Sequence, residues 1–199
     1  MNIDTEEIIQ TLLDTLSQVD GVHPEDIPNI DLYMDQVTTF MDARLSSFKR
    51  YEEDKILTKT MINNYAKNHL LPPPEKKKYS KEHMTILIFI YYFKSILSIN
   101  DIQTLLKPIT EKYFHPEDGY SVFDLYKEMF ELEHSEIETV REDVEKTFEA
   151  AKKSFSSAPE DQRDFLQLFS FLCMLSFDVY LKKQMLEEVI DLMNPPKEK

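Results

Sequence analysis

Apolar side chains recur along this chain at spacings of three and four, the period of an α-helix rather than of a strand. Asp4 stands as a cap before Ile8, Leu12, Leu16 and Val19, which predict one helical face ending near Gly21. Asp31 opens a second helix that carries Tyr33, Met34, Val37, Phe40 and Met41, and residues 45–57 are polar and irregular. Thr58 is a cap before Met61, Ile62 and Tyr65, and Pro72-Pro73-Pro74 stops that helix by forcing extended backbone. Ser80 begins a helix over 81–97 whose residues 86–93 are nearly all apolar. Ser98 with Asp101 has capping-box spacing and opens a short helix through Leu106, ended by Pro108.

The last third repeats these signals. Ser121 with Asp124, and Ser135 with Glu138, have cap-plus-acid spacing, and Ile137, Val140, Val144, Phe148 and Phe155 follow helical spacing. A final helix starts near Pro159-Glu160-Asp161, with proline in the first turn and acids at the positive end of the dipole. Residues 165–181 are apolar on nearly all sides, and such a helix must be covered on all sides. That predicts the centre of a C-terminal bundle or a homodimer interface. A bilayer span needs about 20 apolar residues with few charges. Gln167, Ser170, Ser176 and Asp178 therefore favour a buried helix. Cys173, the single cysteine, lies inside this run and is expected to be a small core residue.

Composition narrows the class. The chain has 199 residues and only 2 Gly, against a usual share of about 7%. Tight hairpins and phosphate-cradling loops need glycine, so sheet-rich folds and nucleotide-binding loops are disfavoured and a mainly helical protein remains. With 42% hydrophobic residues there is material for a real core. The acidic start lacks the positive region of a signal peptide, so a cytoplasmic protein is expected. The string His-Pro-Glu-Asp occurs at 23–26 and 115–118, where helix starts explain it better than metal ligation.

Charge is divided. The formal net charge is -14. Residues 1–43 contain acids but no Lys or Arg, residues 113–199 are again acidic, and residues 44–112 form a basic island. Within it Lys55, Lys59, Lys67, Lys76, Lys77, Lys78 and Lys81 face a single acid, Glu75. A local patch governs nucleic-acid affinity more than net charge does, because distant charges are screened.

Residues 58–106 resemble MerR-type regulators. Residues 58–74 are similar to their recognition helix and following turn, with Thr58, Tyr65, Lys67 and then Leu70-Leu71-Pro72-Pro73. Lys76-Lys77-Lys78-Tyr79-Ser80 stands where the family has a basic wing closing on Tyr-Ser. Ser98, Asp101, Ile102, Leu105 and Leu106 match a short helix of that family. The whole pattern, including the acidic helix before it, also resembles a family of unknown function from Gram-positive bacteria described as MerR-like regulators of transcription. The chain departs from the MerR type in carrying Asn63 where an Arg is usual and in a longer connection before Thr58. It also has Lys107-Pro108 where the dimerisation helix would begin.

The resemblance implies a mainly α fold: a MerR-like winged helix-turn-helix with a small β wing, followed by an all-helical C-terminal domain. Expected divisions are an acidic N-terminal helix (1–28), the DNA-binding domain (29–110), a dimerisation and effector domain (111–194) and a tail (195–199). The expected function is a sequence-specific regulator of transcription, a repressor, acting on double-stranded DNA through a recognition helix at 58–69 and a Lys-rich wing at 75–79. Candidate DNA-binding residues are Thr58, Lys59, Thr60, Asn63, Asn64, Tyr65, Lys67, Lys76, Lys77, Lys78 and Tyr79. Asn pairs bidentately with adenine in the major groove, and Lys and Thr reach phosphates or base edges. Expected partners are a second copy through the C-terminal helices and a small-molecule effector, with no cofactor, metal or membrane. The alternative is a helical protein-interaction module with a degenerate helix-turn-helix. An enzyme is not expected, since hydrolase, zinc-protease and phosphate-loop motifs are all missing from the sequence.

Overall fold

The computed structural model describes residues 5–18 and 21–194. Asp4, Val19 and the tail after Asn194, three places where the sequence carries expectations, lie outside them. The described residues form seven α-helices and one small sheet. The helices are α1 (Thr5–Leu16), α2 (Met34–Arg44), α3 (Lys59–Lys67), α4 (Lys81–Phe93), α5 (Ile99–Tyr113), α6 (Val122–Ala151) and α7 (Glu160–Met193). Strand β1 (Leu32–Tyr33) pairs antiparallel with β2 (Lys78–Tyr79), Leu32 opposite Tyr79 and Tyr33 opposite Lys78. By packing, the described residues divide into two compact units, 21–131 with 187–194, and 5–18 with 132–186.

The larger unit is organised around α4. Met84, Thr85, Ile86, Leu87, Ile88 and Ile90 are all at 0% exposure. At about 100° per residue these directions go right round the helix axis, so α4 is the central rod of this unit. Val37 and Met41 of α2, Ile62 of α3, Ile102 and Leu106 of α5 and Val122 and Tyr126 of α6 share the same core. Tyr126 donates its hydroxyl to the Val22 carbonyl, so the ring is buried with its polar tip satisfied. The long segment between α2 and α3 is pinned to this core by Leu45, Ile56 and Leu57, all buried. The Lys94 ammonium donates to the Ile56 carbonyl at 2.7 Å.

The smaller unit is built from α1, the later part of α6 and most of α7. Its core is Ile9, Leu13, Val144, Phe148, Ala151 and Phe171, flanked by Leu12, Leu16, Leu168 and Leu175. Lys152 ties α1 to the end of α6 through Glu6 at 3.0 Å and Glu149. Gln167 of α7 donates to the Lys152 carbonyl at 2.6 Å.

Several local expectations change. Helix α4 ends at Phe93 rather than near residue 97, and α6 ends at Ala151, so Phe155 stands beyond it in a left-handed conformation (φ 49). Ile9 and Leu13 form the buried face of α1, while Ile8 is exposed. Helix α5 runs through Pro108 to Tyr113. Proline costs the bond that its nitrogen would donate to Thr104, but α5 starts with Ser98 and Asp101 capping each other at 3.2 and 3.1 Å, and Ile102 and Leu106 hold it to the core. Ser135 lies inside α6 rather than at a start, its hydroxyl turned back to the Leu132 carbonyl at 2.7 Å. The largest change is in α7: Cys173 and most of the apolar residues at 165–181 are exposed, because the small core meets the helix only at Leu168, Phe171 and Leu175.

Ile88→Ala removes a fully enclosed side chain from the central rod and is expected to destabilise the fold by roughly 2–5 kcal/mol. Urea denaturation followed by circular dichroism measures this. A loss below about 1 kcal/mol would mean that α4 is not covered on that side.

Candidate nucleic-acid interface

Helix α3 begins at Thr58, whose hydroxyl oxygen accepts from the Met61 N–H at 3.2 Å. Ile62 and Tyr65 turn into the core, with Met61 packed beside them. Their directions leave Lys59, Thr60, Asn63, Asn64 and Lys67 on one continuous exposed arc of the helix. The arc contains no acid. All five can donate hydrogen bonds to an anion or a base edge, two through ammoniums, two through amides and Thr60 through its hydroxyl. Lys59 is already paired with Asp35 in the first turn of α2, so its charge is partly committed. The helix closes at His69, which takes a left-handed conformation (φ 56) in the place usually filled by glycine. Gln103 of α5 donates to the Asn68 carbonyl at 3.2 Å and fixes this end.

The hairpin beyond the prolines is tight. The Lys78 N–H donates to the Glu75 carbonyl at 2.8 Å, and the two residues between, Lys76 (φ 48) and Lys77 (φ 67), are both left-handed. This is the backbone of a primed hairpin turn, which favours Asn-Gly. Two lysines held there cost on the order of 1–2 kcal/mol each in backbone strain, and both are exposed. Lys78 follows with its ammonium 5.4 Å from the centre of the Tyr33 ring, on the paired strand. Helix α2 packs against α3 and against both strands, so it positions the arc and the hairpin on one scaffold.

Two sequence candidates move away from the surface. Tyr65 and Tyr79 are buried, at 6% and 3% exposure, and burial pushes both phenol pKa values up. Tyr65 lies on the inner side of α3, and Tyr79 lies opposite Leu32 in the sheet. Their rings support the polar arc of α3 and the hairpin from behind. Conversely, Arg50 and Lys55 stand exposed on the segment between α2 and α3 and were not among the candidates. The charge of the basic island was the signal that pointed to them.

The base of the hairpin rests on His83, which is 3% exposed. Its Nδ1 accepts from the Ser80 N–H at 3.0 Å, which assigns the ring hydrogen to Nε2. Nε2 sits beside the Pro73 and Pro72 carbonyls, though neither meets it at full hydrogen-bond geometry. The ring is edge-on to Tyr79 at 5.5 Å and to Phe114 at 4.8 Å. Burial lowers the His83 pKa below its ordinary value, outweighing the neighbouring carbonyls and Glu82, and His115 adds to the lowering.

Two outcomes follow from this geometry. Lys77→Gly relieves one left-handed position and is expected to stabilise the fold by about 1 kcal/mol, read as a higher urea midpoint. A lower midpoint would show that the lysine makes compensating contacts. For His83, the unfolded chain binds a proton near pH 6.5 while the folded chain resists it. Stability is thus fully present above about pH 6.5 and falls as the pH drops from there toward the lower folded pKa. Thermal unfolding of wild type and His83→Gln between pH 7.5 and 5.5 checks this, the variant losing less over that interval.

No curated protein and no solved structure matches this chain significantly. The model of one family, a domain of unknown function (DUF1836), matches residues 22–129, a stretch that holds α2 to α5 and the hairpin. That is more than half of the chain, and the protein belongs to this family.

Proposed function

We propose that this protein is a non-catalytic, sequence-specific DNA-binding regulator of transcription that works as a MerR-like winged helix-turn-helix. In this reading α2 is the scaffold helix, α3 the recognition helix and the 75–79 hairpin the wing. The observation that carries it is the acid-free polar arc of α3 together with two strained, exposed lysines at the tip of the hairpin. A solvated surface does not require lysine at left-handed positions. Two of the four left-handed non-glycine residues described fall together at this tip, and a phosphate backbone uses paired lysines.

The division of labour follows from chemistry. Asn63 and Asn64 carry both a donor and an acceptor and can read a base edge, with adenine as the natural partner in the major groove. Thr60 and Lys67 flank them and serve phosphates. Lys76 and Lys77 add sequence-independent affinity, and the acidic remainder of the chain keeps non-specific binding low. The protein would repress by occupying its site, and an effector domain in the helical C-terminal part would modulate it.

Selection from a pool of random DNA duplexes, followed by fluorescence anisotropy of the enriched sequence at two salt concentrations, tests this. The expected result is an enriched motif bound in excess unrelated DNA. Asn63→Ala should cost roughly 1–3 kcal/mol at one position of the motif. Lys76→Gln with Lys77→Gln should weaken binding to all sequences and lower the magnitude of the log K against log salt slope by about 2. No enrichment together with no binding at low salt would overturn the proposal.

A further inference from the structure

Helix α7 presents far more apolar surface than its own unit covers. Phe165, Phe169, Leu172, Val179 and Tyr180 each stand between 52% and 60% exposed. Side chains of this size cover about 150–250 Å² when fully buried, so the exposed parts of these five offer roughly 400–600 Å² for burial. That reaches the upper part of the range of apolar patches on an ordinary monomer, about 300–600 Å², and two copies together would bury roughly 1,000 Å², about the least that a specific interface needs.

The spacing is specific. Phe165, Phe169, Leu172, Ser176, Val179 and Lys183 alternate steps of four and three, which is the seam of a helix that pairs with another helix. This seam lies about a quarter-turn round the helix from Leu168, Phe171 and Leu175, which face the unit's own core. Ser176 adds no unsatisfied group to it, since its hydroxyl donates to the Leu172 carbonyl at 2.7 Å. The ends of the seam differ in charge. Glu160, Asp161 and Asp164 outnumber Arg163 at the start, and Lys182, paired with Asp178 at 2.9 Å, and Lys183 stand at the finish.

We infer that α7 pairs with α7 of a second copy, antiparallel, about a two-fold axis at Leu172. In that register Leu172 meets Leu172, Phe165 of each copy lies opposite Val179 of the other, and Asp161 lies beside Lys183, twice by symmetry. A parallel pair would set acids against acids at one end and lysines against lysines at the other. Antiparallel dipoles add to the preference. By length and composition α7 is also able to cross a bilayer. Ser176 within the seam and Asp178 beside it, paired with Lys182 at 2.9 Å, are better accommodated by a second copy than by hydrocarbon. The inference does not depend on DNA binding, since its test uses no DNA.

Sedimentation equilibrium of the full chain is expected to give twice the chain mass of 23.6 kDa. Phe169→Glu, at an exposed position, should keep the wild-type circular dichroism spectrum and raise the dissociation constant by roughly a hundredfold or more. Leu172→Cys in a Cys173→Ser background should cross-link to itself on oxidation, whereas Asp164→Cys in the same background should not. A monomer at tens of micromolar would overturn the inference. So would equal cross-linking at both positions, or a chain that floats with phosphatidylcholine–phosphatidylglycerol vesicles instead of dimerising.

Discussion

The enclosure of α4 around its whole circumference is the constraint on which the larger unit depends. A helix with Ile86, Leu87, Ile88 and Ile90 in so short a run has no solvent face to offer, so other elements must surround it. Helices α2, α3, α5 and the start of α6 each contribute buried residues to that enclosure. The cost of exposing any of these side chains is what holds the sheet, the hairpin and the polar arc of α3 in place.

The hairpin shows how this constraint reaches the surface. Ser80 is at once the end of the hairpin and the cap of α4, and His83 in the first turn of α4 accepts from the Ser80 backbone. The edge contacts of His83 with Tyr79 and Phe114 link the strand to the end of α5. Backbone strain at Lys76 and Lys77 is therefore borne by a rigid base rather than by a loose loop. In the proposed function this is the useful arrangement, because a wing that already holds its lysines outward spends less conformational entropy on meeting DNA.

The two units differ in how far they satisfy their own apolar surface. In the larger one the apolar residues of α4 are consumed by its neighbours. In the smaller one a short core touches α7 at one stripe, and the rest of the helix stays apolar and uncovered. Both helices contain a long apolar run with no clear polar face, 84–93 in α4 and 165–181 in α7. What differs is how much other helix each unit has to place around them.

The helical class and most helix starts were legible in the sequence because they rest on interactions three or four residues apart. Thr58 with Met61, Ser98 with Asp101 and Ser121 with Asp124 all cap as their spacing predicts. The arc of α3 was legible for the same reason, since its polar residues fall between apolar ones at a fixed period. Tertiary structure decided the remainder. It turned Tyr65 and Tyr79 inward, because an aromatic ring follows whichever face has a core behind it. It carried α5 through Pro108, because burial of Ile102 and Leu106 offsets a lost hydrogen bond. It also left α7 exposed, because an apolar run states only that burial is favourable, while the surface available to cover it depends on every other element of the chain.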